Sequence, residues 1–254
     1  MSKIKLMYVD NNFEVSDNVA VVGSSPDIFL TNKDYLKKID QHEDVIRFNL
    51  AKTEGYSEFV GSKTTIRTLS NVILSERFNE NKTTNKLIKN NQITKDDLLD
   101  LKKSKNTKFL VYDTIYRPHS YDLESYDKSN SFHFVNPDAH LVFRYLYGGK
   151  FFSGKNNNMT FLFRHSYTKR GSYLNLFNKN IFTSGLFMIL LLVHSGIKPN
   201  VYGFTRVIYK SNSKLRWYYR NTKNKNIKSV THDWSLEKKI LRLLTKHRLI
   251  NIVE

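Results

Sequence analysis

The sequence predicts an α/β protein with a mostly parallel sheet, and three observations predict it. Short apolar strand candidates recur along the chain, segments of helical length and period fall between them, and the apolar content suits one sizeable core. The 254 residues are 40% hydrophobic and 13% aromatic, ordinary fractions for a globular chain and outside the disordered class.

Taken in order, "VAVVGSSPD" (19–27) reads as a buried strand ending in a polar turn, "DVIRFN" (44–49) as a second strand and "TIRTLSNVIL" (65–74) as a third. Residues 79–106, rich in Lys and Asn, read as one or two surface helices. "KFLVYD" (108–113) is another strand, and "PDAHLVFRYLYGG" (137–149) a helix with Gly at its carboxyl end. Residues 150–180 carry no clear period and read as a lid or an irregular β insertion. "SGLFMILLLVHSG" (184–196) has the length of a helix, "NVYGF" (200–204) follows as a strand, and "SLEKKILRLLTKHRLI" (235–250) sets Leu236, Ile240, Leu243 and Leu244 on one helical face. No linker divides the chain; residues 1–18 form an N-terminal extension and 19–254 one domain.

The longest apolar run, Gly185 to Val193, is too short for a bilayer that needs about twenty residues. The amino end lacks the apolar core of a secretory signal. There are no cysteines, which excludes disulfides, thiolate metal sites and Cys nucleophiles and fits a reducing, cytoplasmic or host-cell cytosolic setting. The net charge of +18 calls for an anionic partner, whether nucleic acid, an acidic membrane surface or a charged small substrate. Basic and aromatic residues interleave in "KLRWYYRNTKNKNIK" (214–228), a composition open to nucleic acid, but no helix-turn-helix, zinc-finger or RNP-type segment accompanies it, so nucleic acid is not the expected partner. No Asp-x-Asp triplet, His-Glu-x-x-His, Gly-x-Ser-x-Gly or Walker-type segment occurs.

Three turns could carry chemistry. Gly23 and Ser24, beyond the first strand, offer close backbone approach and a hydroxyl at the end of the sheet where α/β proteins bind ligands; equally they could simply end the strand. Thr183, Ser184 and Gly185 open a helix whose free amides and dipole favour an anion, or one hydroxyl caps that helix. "THDWSLE" places His232 just ahead of a helix start, where an imidazole can act as a base, and Glu237 reads as a favourable first-turn charge. The polar stretch "RFNLAKTEGYSEFVGSKTT" (47–65) is long for a connection and so is either disordered or functional.

In order along the chain, these pieces resemble the animal-type sialyltransferase family with its sialylmotifs. Residues 19–65 resemble the large motif, including the "VIRFN" core and the "VGSKTT" end; residues 182–204 the small motif; and His232-x4-Glu237 the very small motif. "NPDAHLVFRYL" (136–146) is a weaker likeness in the expected place. The resemblance makes the 47–65 stretch a nucleotide-site element. It implies a single Rossmann-like domain with a twisted, mostly parallel sheet flanked by helices, a GT-A-like variant.

The resemblance also implies a CMP-sialic acid donor, a glycan or glycolipid acceptor, inversion at the anomeric carbon, and no metal or other cofactor. Asn49 is expected to bond the nucleotide, and Ser24 stands where the family usually has an Asn that does the same. Thr183, Ser184 and Gly185 are expected to cradle the CMP portion, and His232 to deprotonate the acceptor hydroxyl. In motif III this chain has "WYYR" (217–220), with Trp217 where the family opens on His or Tyr; Arg216 is expected to supply the positive charge beside the phosphate. The family's disulfide positions are Val19 and Gly196 here. Alternative readings are a transferase for another CMP-activated sugar (Kdo or another nonulosonic acid), a nucleic-acid-binding protein on a degenerate transferase fold, and a catalytically dead lectin-like relative. Peripheral association with an anionic membrane suits the charge.

Overall fold

The computed structural model describes residues 2–10, 12–30, 32–74, 95–112, 121, 123–136, 138–147, 182–204, 218 and 234–253. His232, Arg216, Trp217 and residues 79–94, 150–180 and 219–228 of the segments read above lie outside the described residues. Strands β1 (Lys3–Lys5) and β2 (Glu14–Ser16) pair antiparallel, and β3 (Val19–Val22), β4 (Asp44–Phe48), β5 (Ile66–Ser70), β6 (Lys108–Tyr112), β7 (Ser131–Phe134), β8 (Asn200–Tyr202) and β9 (Asn251–Val253) form one sheet. Its order is β7-β6-β5-β4-β3-β8-β9, and every neighbouring pair is parallel.

Parallel strands need crossovers that cover both faces, so each strand alternates between two buried layers. In β3, Val19 and Val21 face one core with Ile46, Phe48 and the residues of α6 (Ser184–His194), whereas Ala20 and Val22 face a second with Val45, Ile39, Val60 and Tyr218. Helix α6 is apolar because it is covered on all sides: Leu186 to Leu192 are completely buried. It packs with α5 (Asp138–Tyr147) and α7 (Trp234–Lys246) through Phe143, Ile240, Leu241 and Leu244. Among the described residues no helix is long and apolar enough to cross a membrane. Leu6, Phe13 and Val15 of the amino-terminal segment enter the same core. On the opposite face lie the short helices α1 (Lys33–Leu36), α2 (Ser57–Val60) and α3 (Asn71–Leu74), and α4 (Lys95–Lys102) buries Leu101 against Phe109 and Tyr126.

Among the element ends that differ from the sequence reading, three have a clear local reason. The third strand stops at Ser70 rather than Leu74, because the Ser70 amide is taken by the Asn49 side chain at 3.0 Å and the chain then turns into α3. The strand read over 200–204 ends at Tyr202, because Gly203 sits at φ 69°. The final helix ends at Lys246 rather than Ile250. There the Leu249 amide donates to the Leu244 carbonyl and the Arg248 amide to Thr245, with Arg248 at φ 56°. This is a Schellman turn, and α6 ends in the same way with Gly196 at φ 82°.

Candidate active site

The strand order reverses between β3 and β8: from β3 the chain builds outward through β4 to β7, and only later returns on the other side with β8 and β9. In open α/β sheets the crevice for a ligand lies at such a switch point, outside the carboxyl ends of the strands. Here those ends are Gly23-Ser24 after β3, Asn49 after β4, Tyr112 at the end of β6 and Gly203-Phe204 after β8, with the amino terminus of α6 above them.

Asn49 is held at φ 49°, a left-handed conformation that Asn tolerates better than most residues. Its amide donates to the Thr68 carbonyl at 2.8 Å, its own carbonyl accepts from Arg67 at 2.8 Å, and its side-chain oxygen accepts from Ser70. Tyr112 reaches the same point from β6, hydrogen-bonding both the Asn49 side chain and the Ser184 hydroxyl. Burial pushes the Tyr112 phenol up to about 12, so it stays protonated. Asn49, Tyr112 and Ser184 thus form one polar chain from the end of β4 to the first turn of α6, and Asn49 and Ser184, both half-buried, open it to the crevice.

Thr183 is the N-cap of α6, its hydroxyl accepting from the Leu186 amide at 3.3 Å. Its amide and hydroxyl both donate to the Glu237 carboxylate, at 2.7 Å and 2.8 Å. Glu237 is the first-turn charge of α7 that the sequence suggested, and at 1% exposed it is also a buried carboxylate placed against the positive end of α6. Thr183 has no donor left for a ligand, and the Ser184 and Gly185 amides remain as first-turn donors without an intrahelical acceptor.

Gly23 and Gly185 press on opposite edges of one ring. A Cβ at Gly23 would stand 2.7 Å from the Gly203 carbonyl oxygen and 2.8 Å from the Phe204 ring, and a Cβ at Gly185 would stand 2.7 Å from the far edge of the same ring. Both glycines therefore serve close packing around Phe204, which sets the distance between the β3 turn and α6.

The 47–65 stretch is ordered from both sides. Inside, the fully buried Arg47 donates to the Val60 carbonyl at 2.5 Å and to Lys63 and Thr64 at 3.1 and 3.0 Å. Outside, Asp40 accepts from the Ser62 amide and hydroxyl and from the Lys63 amide. Burial pushes the Asp40 carboxyl up, but these bonds and Arg47 outweigh it and hold it below its usual value. Tyr218, in the motif III segment, is a strut that the sequence reading passed over. Its amide donates to the Ser24 carbonyl at 3.1 Å, its hydroxyl to the Lys52 carbonyl at 2.5 Å, and its ring packs against Tyr56 and Phe29. The signal available was its place among three consecutive aromatics. Of the expected site residues, the fold brings Gly23, Ser24, Asn49, Thr183, Ser184 and Gly185 to one end of the sheet; His232 and Arg216 are outside the described residues.

Comparison with known proteins bears on the family and the fold. The model of the family described as Glycosyltransferase family 29 (sialyltransferase) matches residues 12–249. Beta-galactoside alpha-2,6-sialyltransferase 2 of Takifugu rubripes is 52% identical over 46 residues, 17% of this chain and 9% of the relative, and that of Homo sapiens is 46% identical over 46 residues, 18% and 9% respectively. The chain thus matches less than a tenth of the length of these relatives. A mammalian sialyltransferase solved in complex with Gal-beta-1-3GalNAc-ortho-nitrophenol superposes with a TM-score of 0.52 at 17% identity, covering 92% of this chain and 68% of that one. Another mammalian sialyltransferase structure gives 0.50 at 17% identity, covering 92% and 67%. The expected Rossmann-like α/β fold is the fold observed, and the chain belongs to glycosyltransferase family 29, the sialyltransferase family.

Proposed function

We propose that this protein transfers sialic acid from CMP-sialic acid to a glycan hydroxyl, with inversion and without metal. The observation that carries the reading is the Asn49–Tyr112–Ser184 chain at the switch-point crevice of a family 29 fold. Asn49 and Ser184 offer polar groups to the cytidine nucleotide, Ser24 lines the turn beside them, and the Ser184 and Gly185 amides face the charge that grows on the phosphate as the glycosidic bond breaks. Thr183, whose donors bind Glu237, acts by fixing that helix end. His232 takes the proton of the acceptor hydroxyl, a task suited to an imidazole with its ordinary value near 6.5. Its spacing from Glu237 tethers it, through four intervening residues, to the carboxylate that holds α6. Arg216 adds positive charge beside the leaving phosphate.

The relatives' names and the ligand of the solved neighbour all involve galactose, which makes galactose-terminated glycans the acceptors to try first. Family membership lends no support to the cytosolic compartment expected from the cysteine-free sequence.

The test is donor binding and hydrolysis by the purified chain, CMP-sialic acid against CMP-Kdo and other sugar nucleotides, with and without chelator. Selective release of CMP from the sialic acid donor, insensitive to chelator and lost in His232→Ala while CMP still binds, is expected. Failure to bind any cytidine nucleotide overturns the reading.

A further inference from the structure

The end of the sheet opposite the crevice has a different chemistry. Helices α6 and α7 both begin beside the site and run down the same layer, so their closing Schellman turns emerge together at the amino ends of β8 and β9. The Asn251 amide bonds the Pro199 carbonyl at 3.0 Å, joining the two turns. Arg242, Lys246, His247 and Arg248 of the α7 end and Lys198 of the α6 turn are all exposed there. Neither 195–199 nor 238–253 contains a single Asp or Glu. Set among these cations are two exposed leucines, Leu243 at 48% and Leu249 at 43%.

We propose that this end of the molecule docks on an anionic lipid bilayer. Charge complementarity selects an anionic partner, and the exposed leucines select a lipid surface, because an interfacial helix buries apolar side chains while its basic residues stay among the headgroups. Single-stranded nucleic acid is recognised by aromatic stacking beside basic residues, and 238–253 holds no Phe, Tyr or Trp. Docked this way, the amino ends of β8 and β9 face the bilayer and the crevice at their carboxyl ends faces away. The acceptors within reach are then glycans that stand off the surface, not sugars lying in the headgroup plane. The binding itself does not depend on the transferase reading.

The test is co-sedimentation of the full chain with phosphatidylcholine vesicles, with and without phosphatidylserine. Binding only in the presence of phosphatidylserine, falling with salt, is expected. Each basic residue contributes a factor of about five, so Arg242→Gln with Arg248→Gln should weaken binding more than tenfold. Leu243→Ser with Leu249→Ser should weaken it at high salt, where charge is screened. Both double variants alter exposed side chains, and unchanged circular dichroism and donor hydrolysis will show that the fold and site persist. Equal binding to neutral vesicles, or equal binding by the arginine variant, overturns the proposal. So does tighter salt-sensitive binding to a single-stranded RNA oligonucleotide that the same arginine variant abolishes.

Discussion

Glu237 binds Thr183 twice, accepting from its amide at 2.7 Å and from its hydroxyl at 2.8 Å. The two residues belong to different sialylmotif segments, so this pair locks the start of α7 to the start of α6 and joins the segment carrying His232 to the turn carrying Ser184. Both bonds go to a buried charged acceptor, a class that contributes about 1.5–3 kcal/mol each. Glu237→Gln keeps the shape but can no longer accept both bonds with a full charge. It is expected to lower stability by about 2 kcal/mol and to reduce turnover, and Thr183→Val is expected to do the same. A double-mutant cycle followed by urea unfolding checks the coupling. The double variant should cost less than the sum of the single ones, because the bond from the Thr183 hydroxyl to Glu237 is perturbed in each; simple additivity would refute the clamp.

Phe204 yields a sharper contrast. Gly185→Ala collides with the ring alone, whereas Gly23→Ala collides with the ring and also with the Gly203 backbone oxygen. Each change alone is expected to destabilise by about 1–3 kcal/mol through overpacking. Phe204→Leu should relieve Gly185→Ala and leave most of the cost of Gly23→Ala in place, because a backbone carbonyl cannot rotate aside. Thermal unfolding of the three single and two double variants decides it, and equal rescue of both glycines would count against the wedge.

How much of this was legible depended on the range of the interactions involved. The parallel core could be read because Val19–Val22, Phe109–Tyr112 and the α6 run are apolar in sequence, and a strand buried on both faces needs nothing else. The end of α7 could not, because its Schellman turn uses Arg248 at a left-handed position where the familiar signal is Gly, as at Gly196. Strands β7 and β9 were missed because a short edge segment such as "SFHF" or "NIV" owes its state to its neighbour and not to its own pattern. At the site, Asn49 was named from the motif resemblance, and Thr183, Ser184 and Gly185 from their place at the start of an apolar helix. Tyr112 and Glu237 acquire their partners only when β6 and α7 are brought beside α6, so nothing local marked the first, and the second passed for an ordinary helix-start charge. Gly23 was read as a place of close backbone approach or a strand-ending turn, and the structure adds that Gly203 and Phe204 are its nearest neighbours.

The buried phenols set the alkaline limit of the fold. Burial pushes Tyr112 to about 12 from 10.0, and Tyr218 likewise to about 12, in the latter case against the pull of Arg47 and Arg67. The folded protein therefore holds these protons more tightly than the unfolded chain does. Their contribution is fully present below pH 10 and is lost as the pH climbs from 10 towards 12, by roughly 2–3 kcal/mol for each residue. Urea unfolding at a series of pH values is expected to show a plateau to about pH 10 followed by a fall. In Tyr112→Phe the fall should become shallower while the plateau drops, since the bonds to Asn49 and Ser184 are gone; Tyr218→Phe should act likewise through its bond to Lys52. A wild-type protein whose stability stays level through this range would mean that these tyrosines are reached by water, and the buried placing of Tyr112 between Asn49 and Ser184 would have to be abandoned.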